Sequence, residues 1–118
     1  MSKNIRRKAA LFSLLAIFSV STATYANAAT LSSAGNKVKG VVNTSVYAWT
    51  GSSSGWAKVS YNMYNNALGK DVKGDSDYSS SGWAQTDTQT WNSNYIFDGS
   101  YHEVSGDSKS LSKNKTIG

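Results

Sequence analysis

Cysteine and proline are absent from the 118-residue chain, and each absence closes off one way of holding a small protein together. Without cysteine there are no disulfide staples, which excludes a toxin of the disulfide-knot type and leaves stability to the fold itself or to self-association. Without proline, turns and strand edges must be set by Gly, Asn, Asp and Ser. Arginine occurs only as Arg6 and Arg7, so nothing after residue 7 can grip a phosphate bidentately. Long aliphatic runs are scarce as well: residues 29–118 contain only 13 Leu, Ile, Val or Phe. They also contain four Trp and six Tyr, and rings that each cover roughly 150–250 Å² are the remaining means of building a core.

The N-terminus reads as a leader. Lys3, Arg6, Arg7 and Lys8 give a positive start, residues 9–20 are largely apolar, and Ala26-Asn27-Ala28 places small residues where a signal peptidase reads them. The expectation is a cleaved, helical signal peptide over residues 1–28 and a secreted, extracellular domain over residues 29–118. The apolar run is well short of the roughly 20 residues that span a bilayer, so no transmembrane segment is expected in the mature chain. Removal of the leader takes four basic residues with it and leaves eight lysines against seven acids, a net charge of +1. The basic balance of the whole chain is therefore no sign of nucleic-acid binding.

Ninety residues suit one domain. The clearest element is residues 56–65, where Ala57, Val59, Tyr61 and Met63 alternate with Lys58, Ser60 and Asn62 as in a half-buried strand. Residues 38–50 are β-branched and aromatic and read as a first strand, broken near Asn43, joined through the loop 51–55 to that second strand as a hairpin. Residues 30–36 read as a mobile start, and residues 72–77 as a surface connection. In residues 83–91, Trp83, Gln85, Asp87, Gln89 and Trp91 fall on one side and Ala84, Thr86, Thr88 and Thr90 on the other, the pattern of a long polar edge strand. Asp98-Gly99 is a strong hairpin signal between residues 95–97 and 101–105, and a tail that frays from about residue 107 follows. The hexapeptide Ser52-Ser53-Ser54-Gly55-Trp56-Ala57 recurs unchanged as residues 79–84. The expected fold is all-β, a small antiparallel β-sandwich or partly open barrel of five to six short strands.

Chemistry has few places to sit. His102 is the only histidine; it neighbours Glu103, and no Gly-x-Ser-x-Gly elbow frames any serine, so no catalytic set is expected and the chain reads as non-enzymatic. Asp71, Asp75 and Asp77 miss the spacing of a calcium loop and read as a solvated acidic turn, and no cofactor or metal is expected. Trp56, Tyr64, Trp83 and Trp91 are the candidate ligand-binding residues, because rings on a flat sheet stack on sugars or sit at a membrane interface. The competing reading is that these rings pack the second layer of the sandwich, which a chain short of Leu and Ile needs.

Ser93-Asn94-Tyr95, then Gly99-Ser100 and His102, resembles the Ser-Asn-Tyr, Gly-Ser, histidine motif of lactococcin 972-type bacteriocins. That resemblance implies a two-sheet β-sandwich secreted by a Gram-positive bacterium, binding lipid II and inhibiting cell-wall synthesis at the septum, and it adds Tyr95 and His102 to the candidate ligand-binding residues. The functional expectation is a bacteriocin-like antimicrobial that engages an envelope glycolipid or glycan. The alternative is a structural or adhesive surface or matrix protein that binds glycans or self-associates.

Overall fold

The computed structural model describes residues 28–118, so the expected leader, apart from Ala28, lies outside the described residues. Among the described residues there is no helix, and nine strands follow in order: β1 (Leu31–Lys39), β2 (Thr44–Ser52), β3 (Ala57–Asn65), β4 (Lys70–Ser79), β5 (Trp83–Gln85), β6 (Gln89–Trp91), β7 (Tyr95–Val104), β8 (Asp107–Leu111) and β9 (Thr116–Ile117). They form two antiparallel sheets packed face to face. In the first, β1 lies between β9 and β2, and β5 and β6 both pair with the far edge of β2; the second runs β4-β3-β7-β8. The expected sandwich is present, with nine strands among the described residues in place of five or six.

Residues 56–65 sit as the alternation predicts. Ala57, Val59, Tyr61 and Met63 are buried between the sheets, and β3 is flanked on both sides, by β4 and β7. Its relation to the preceding strand differs from the expected hairpin: the loop 53–56 carries the chain from the first sheet to the second, and β2 pairs instead with β1 across the turn 40–43. Residues 30–36 are consequently no mobile start. Ala34 and Asn36 are fully buried, and β1 is a central strand. Small residues at 32–36 gave a polar reading, but a strand packed under alanines needs no bulk. Residues 72–77 are not a surface connection either: they belong to β4, the outermost strand of the second sheet, whose Lys70, Asp71, Lys73, Asp75 and Asp77 charge an otherwise open edge.

Bulges account for the other departures. Tyr61 pairs with Asp75 and Asn62 with Lys73, which leaves Gly74 extra on β4. On the opposite side Tyr61 pairs with Ser100 and Met63 with Phe97, so Asp98 and Gly99 together face Asn62. The Asp98-Gly99 signal is therefore a bulge inside β7 rather than a hairpin: Gly99 takes φ +108°, which serves a bulge as well as it serves a turn. The polar strand 83–91 breaks at residues 86–88. There Thr86 substitutes for the ladder, its N–H donating to the Ala48 carbonyl at 2.9 Å and its Oγ1 accepting from the Ala48 N–H at 3.0 Å. The break shifts the alternation, so Trp83 points outward while Trp91, opposite buried Thr44, points into the sandwich.

Rings lie on glycines throughout. Gly35 is paired with Trp49 across the outer face of the first sheet, and a Cβ there would come within 2.5 Å of the indole. Gly51 is paired with Trp83 in the same way, at 3.0 Å. Inside, Tyr61 covers Gly74. A ring laid on a bare backbone replaces the side-chain contact that a strand glycine lacks.

The Trp49 indole N–H donates to Ser33 Oγ at 3.0 Å, so its ring cannot swing aside without losing that bond. Gly35→Ala is expected to lower the unfolding free energy by about 1–3 kcal/mol through overpacking. Gly55→Ala, where φ is +76° but nothing lies within 4 Å, is expected to cost about 1 kcal/mol. Urea midpoints of the two variants measure the difference; equal losses would remove packing of the ring from the explanation.

Candidate ligand-binding surface

Two groups of aromatic rings divide the work of closing and decorating the sandwich. The first is internal. Tyr61, Phe97, Trp91 and Tyr95 meet where β3, β6 and β7 converge: Trp91 stands edge-on to Tyr61 at 6.4 Å, Tyr95 is 5.0 Å from Trp91, and Phe97 is 6.2 Å from Tyr61. The Trp91 indole donates to Tyr61 Oη at 3.2 Å, and burial pushes the Tyr61 phenol above its ordinary pKa. Trp91 and Tyr95 are thus half-buried plugs of the core, and their rings are occupied with one another.

His102 is internal too. It has no exposed surface, so it cannot touch a ligand at the sheet face, a correction to its place among the candidate binding residues. Register explains this: the bulge at Asp98-Gly99 keeps Ser100, His102 and Val104 facing the opposite sheet. The imidazole bridges the two layers, with Nδ1 2.9 Å from Thr50 Oγ1 and Nε2 2.7 Å from Ser100 Oγ. Ser100 Oγ in turn accepts from Asn36 Nδ2 at 2.8 Å, which leaves its own proton for His102 Nε2. Asn36 is saturated: Nδ2 also donates to the Ser112 carbonyl at 2.9 Å, Oδ1 accepts from the Asn114 N–H at 2.6 Å, and the Asn36 N–H donates to the Lys115 carbonyl at 3.1 Å. Asn114, at φ 54°, returns the contact by accepting from the Val38 N–H at 2.7 Å. The tail expected to fray is tied to β1 by this chain of bonds.

The second group faces outward. Trp56 precedes β3 and stacks on Tyr78 of β4 with centroids 6.3 Å apart and planes 27° apart, and Lys58 Nζ lies 5.3 Å from the Trp56 ring. Lys58 is flanked in register by Tyr78 and by Glu103. A shallow groove beside Trp56 is walled by Glu103 and the β7–β8 turn, including Ser105, Asp107 and Ser108. Trp83 is half exposed on the outer face of the other sheet, its indole N–H turned to Gln85 Oε1 at 3.2 Å. Tyr64 is exposed beside Ile96 and Asp71, on the Trp56 side but at the far end of β3. Of the candidate residues, then, Trp56, Tyr64 and Trp83 are on the surface and are not brought together. Tyr78 and Glu103 join Trp56 instead, and only their register, which the sequence hides behind the Gly74 bulge, marks them.

The repeated hexapeptide explains the local form of this end. In both copies the first serine folds back on the third, Ser52 Oγ accepting from the Ser54 N–H and Ser79 Oγ from the Ser81 N–H, and a glycine of positive φ turns the chain into a Trp-led strand. The copies lie side by side, with the Ser52 N–H donating to the Gly82 carbonyl at 2.8 Å. Trp56 and Trp83 are therefore delivered from one serine-rich rim to opposite faces.

No protein-family model matches the chain, and neither curated proteins nor solved structures gave a match. The acidic residues are dispersed: Asp71 shares the outer face with Asn62 and Tyr64, whereas Asp75 and Asp77 share the inner side with Tyr61 and Val59, and Asp77 accepts from the Gln85 N–H at 3.0 Å. A hydrogen bond to Asp98 is the main reason the Asp71 carboxyl is held above its ordinary pKa. Among the described residues, no three His, Asp or Glu side chains are grouped so as to hold a metal ion.

Burial lowers the His102 pKa from 6.5 to about 4, against a backbone hydrogen bond at Trp49 that holds it up in part. Between those values the unfolded chain binds a proton that the folded chain does not, so stability falls as pH drops from 6.5 towards 4 and loses nothing further from this group below that. The loss is expected to reach about 2–3 kcal/mol. Urea titrations at pH 7, 5.5 and 4 measure it, and His102→Gln, though less stable at pH 7, is expected to show a flatter dependence. Identical slopes in the two proteins would assign the acid sensitivity to the carboxylates.

Proposed function

We propose that residues 29–118 form a secreted, non-enzymatic β-sandwich that acts on a cell envelope as a bacteriocin-like antimicrobial, holding a glycan or the saccharide part of a glycolipid on its Trp56–Tyr78 face. The observation that carries this reading is the stack of half-buried Trp56 on exposed Tyr78, with an ammonium and a carboxylate beside it. Sugar rings offer apolar C–H faces and peripheral hydroxyls; the first pack on indole and phenol rings, and the second pair with groups such as Lys58, Glu103 and the serines of the β7–β8 turn. A shallow, open site fits a polymer or a membrane-anchored saccharide better than a small metabolite, which requires enclosure. His102 and Ser100, the one Ser–His pair within bonding distance among the described residues, are spent on holding the two sheets and the tail together, which supports a role without catalysis.

The resemblance to lactococcin 972-type bacteriocins adds support of a limited kind. Ser100 and His102 of the shared motif are interior residues here, so the motif speaks for a common way of building a cysteine-free sandwich and the Trp56 face speaks for the ligand.

Pull-down on isolated peptidoglycan and on lipid II-bearing vesicles tests the reading, alongside growth inhibition. The 29–118 polypeptide is expected to be retained on at least one of these, and Trp56→Ala with Tyr78→Ala is expected to weaken retention about tenfold or more while leaving the fold intact, since both rings lie outside the core. Retention without growth inhibition would transfer the protein to the adhesive or matrix class. Retention unchanged in the double variant would dismiss this face.

A further inference from the structure

The end of the sandwich remote from Trp56 carries a second, chemically different surface. β1 and β2 are joined there by the turn 40–43; Thr44, at the start of β2, is opposite Trp91 at the end of β6. From Trp91 the chain crosses to the second sheet, where the Asn94 carbonyl accepts from the Asn66 N–H at 2.8 Å, directly beside the β3–β4 turn 66–69. Both turns therefore project from one end of the molecule. Their tips are aliphatic: Val41 is 87% exposed, Val42 65% and Leu68 61%, and Ile96, one rung in from the same end, is 55% exposed. Four of the 13 Leu, Ile, Val and Phe residues of 29–118 are thus left in solvent at one place.

These tips cannot fold back. Gly40, at φ +85°, sits so close to the Asn43 carbonyl that a Cβ would be 2.9 Å from it, and Thr44 Oγ1 donates to the Gly40 carbonyl at 3.3 Å. In the other turn the buried Asn65 Oδ1 accepts from the N–H groups of Ala67 and Leu68 at 2.9 and 3.1 Å, and the Gly69 N–H closes onto the Asn65 carbonyl at 2.8 Å. Two rigid turns therefore hold apolar side chains outward. Lys39 and Lys70 flank them immediately, and Lys37 and Lys113 stand behind on the first sheet's side; Asp71 and Asp98 are the acids nearest, on the outer face of the second sheet.

We infer that this end docks on the surface of an anionic lipid bilayer, the valine and leucine tips entering the headgroup–acyl boundary and the lysines pairing with lipid phosphates. Charge complementarity selects this occupant: an apolar tip with four ammonium groups beside and behind it matches a layer whose interior is apolar and whose surface is negative. Tyr64, exposed and opposite Ile96 in register, adds an amphipathic ring of the kind that favours a membrane interface. The inference is independent of the glycan-binding reading, which uses the opposite end, and a protein with both could hold an envelope saccharide while resting on the membrane.

Co-sedimentation with vesicles tests it, using residues 29–118, which contain both sheets and the whole core. Binding is expected on phosphatidylcholine–phosphatidylglycerol vesicles, weaker on phosphatidylcholine alone, and reduced by salt. Val41→Ser, Val42→Ser and Leu68→Ser together are expected to lower the partition coefficient about tenfold or more with the urea midpoint unchanged. Lys39→Glu with Lys70→Glu is expected to abolish the preference for anionic vesicles, and Trp56→Ala to leave vesicle binding as it was. Absence of binding at low salt, or a triple serine variant that binds as well as the parent, would overturn the inference.

Discussion

A sandwich must fill the space between its sheets, and this chain does so with few aliphatic side chains and no covalent staple. The interior takes alanines, Val38, Val46, Val59, Val104 and Met63 around Tyr61 and Phe97, and aromatic rings are laid on bare backbone both inside and outside the sandwich. Tyr61 on Gly74 does this in the interior, and Trp49 on Gly35 and Trp83 on Gly51 do it outside. Each pair converts a strand glycine, ordinarily a weak point, into a contact that fixes register, because sliding the strands by one residue would drive the ring into a Cβ. The bulges on both sides of β3 at Tyr61 and Asn62 belong to the same device, since Gly74 and Gly99 are the residues that allow them.

The other half of the interior is narrow and polar. Ala34, Ala48, Ala57 and Ala84 let the sheets approach, and between them runs the chain from Thr50 through His102 and Ser100 to Asn36. A buried polar group costs free energy unless its bonds are made, and here they are made completely by groups from both sheets and the tail. The arrangement is therefore exacting: Asn36 stands on β1, His102 on β7 and Asn114 in the tail, and each is satisfied only when all three segments are in register. Tail docking and sheet packing become one event, which compensates for the missing disulfides.

What could be read in the sequence follows from this division. β3 was legible because it obeys the rule that buried positions are large and apolar. β1 was not, since the buried positions it turns towards the other sheet are Ala34, Asn36 and Val38, and Asn36 bonds across the core. β4 was hidden by charge and by Gly74, and the face of Trp91 was misassigned because Thr86 breaks the alternation with a side-chain bond that no periodicity records. Among the candidate site residues, Trp56 and Trp83 lie outside the core, each directly before a buried alanine, whereas the sequence left open whether these rings face out or pack the second layer. His102, one polar residue in a polar run, offered no signal of burial beyond the period it shares with Val104.

The burial of His102 also bears on how a short motif should be weighed. Ser-Asn-Tyr, Gly-Ser and His fall within ten residues, and in this protein Tyr95 plugs one end of the core, Gly99 forms a bulge, and Ser100 and His102 bridge the layers. Each position is demanded by folding. A second cysteine-free sandwich with a polar interior would meet similar demands at the same spacing, because Ser100 and His102 must share a face and the bulge must precede them. The aromatic rings that folding leaves outside the core stand elsewhere, at the rim where the two serine-rich loops set Trp56 and Trp83.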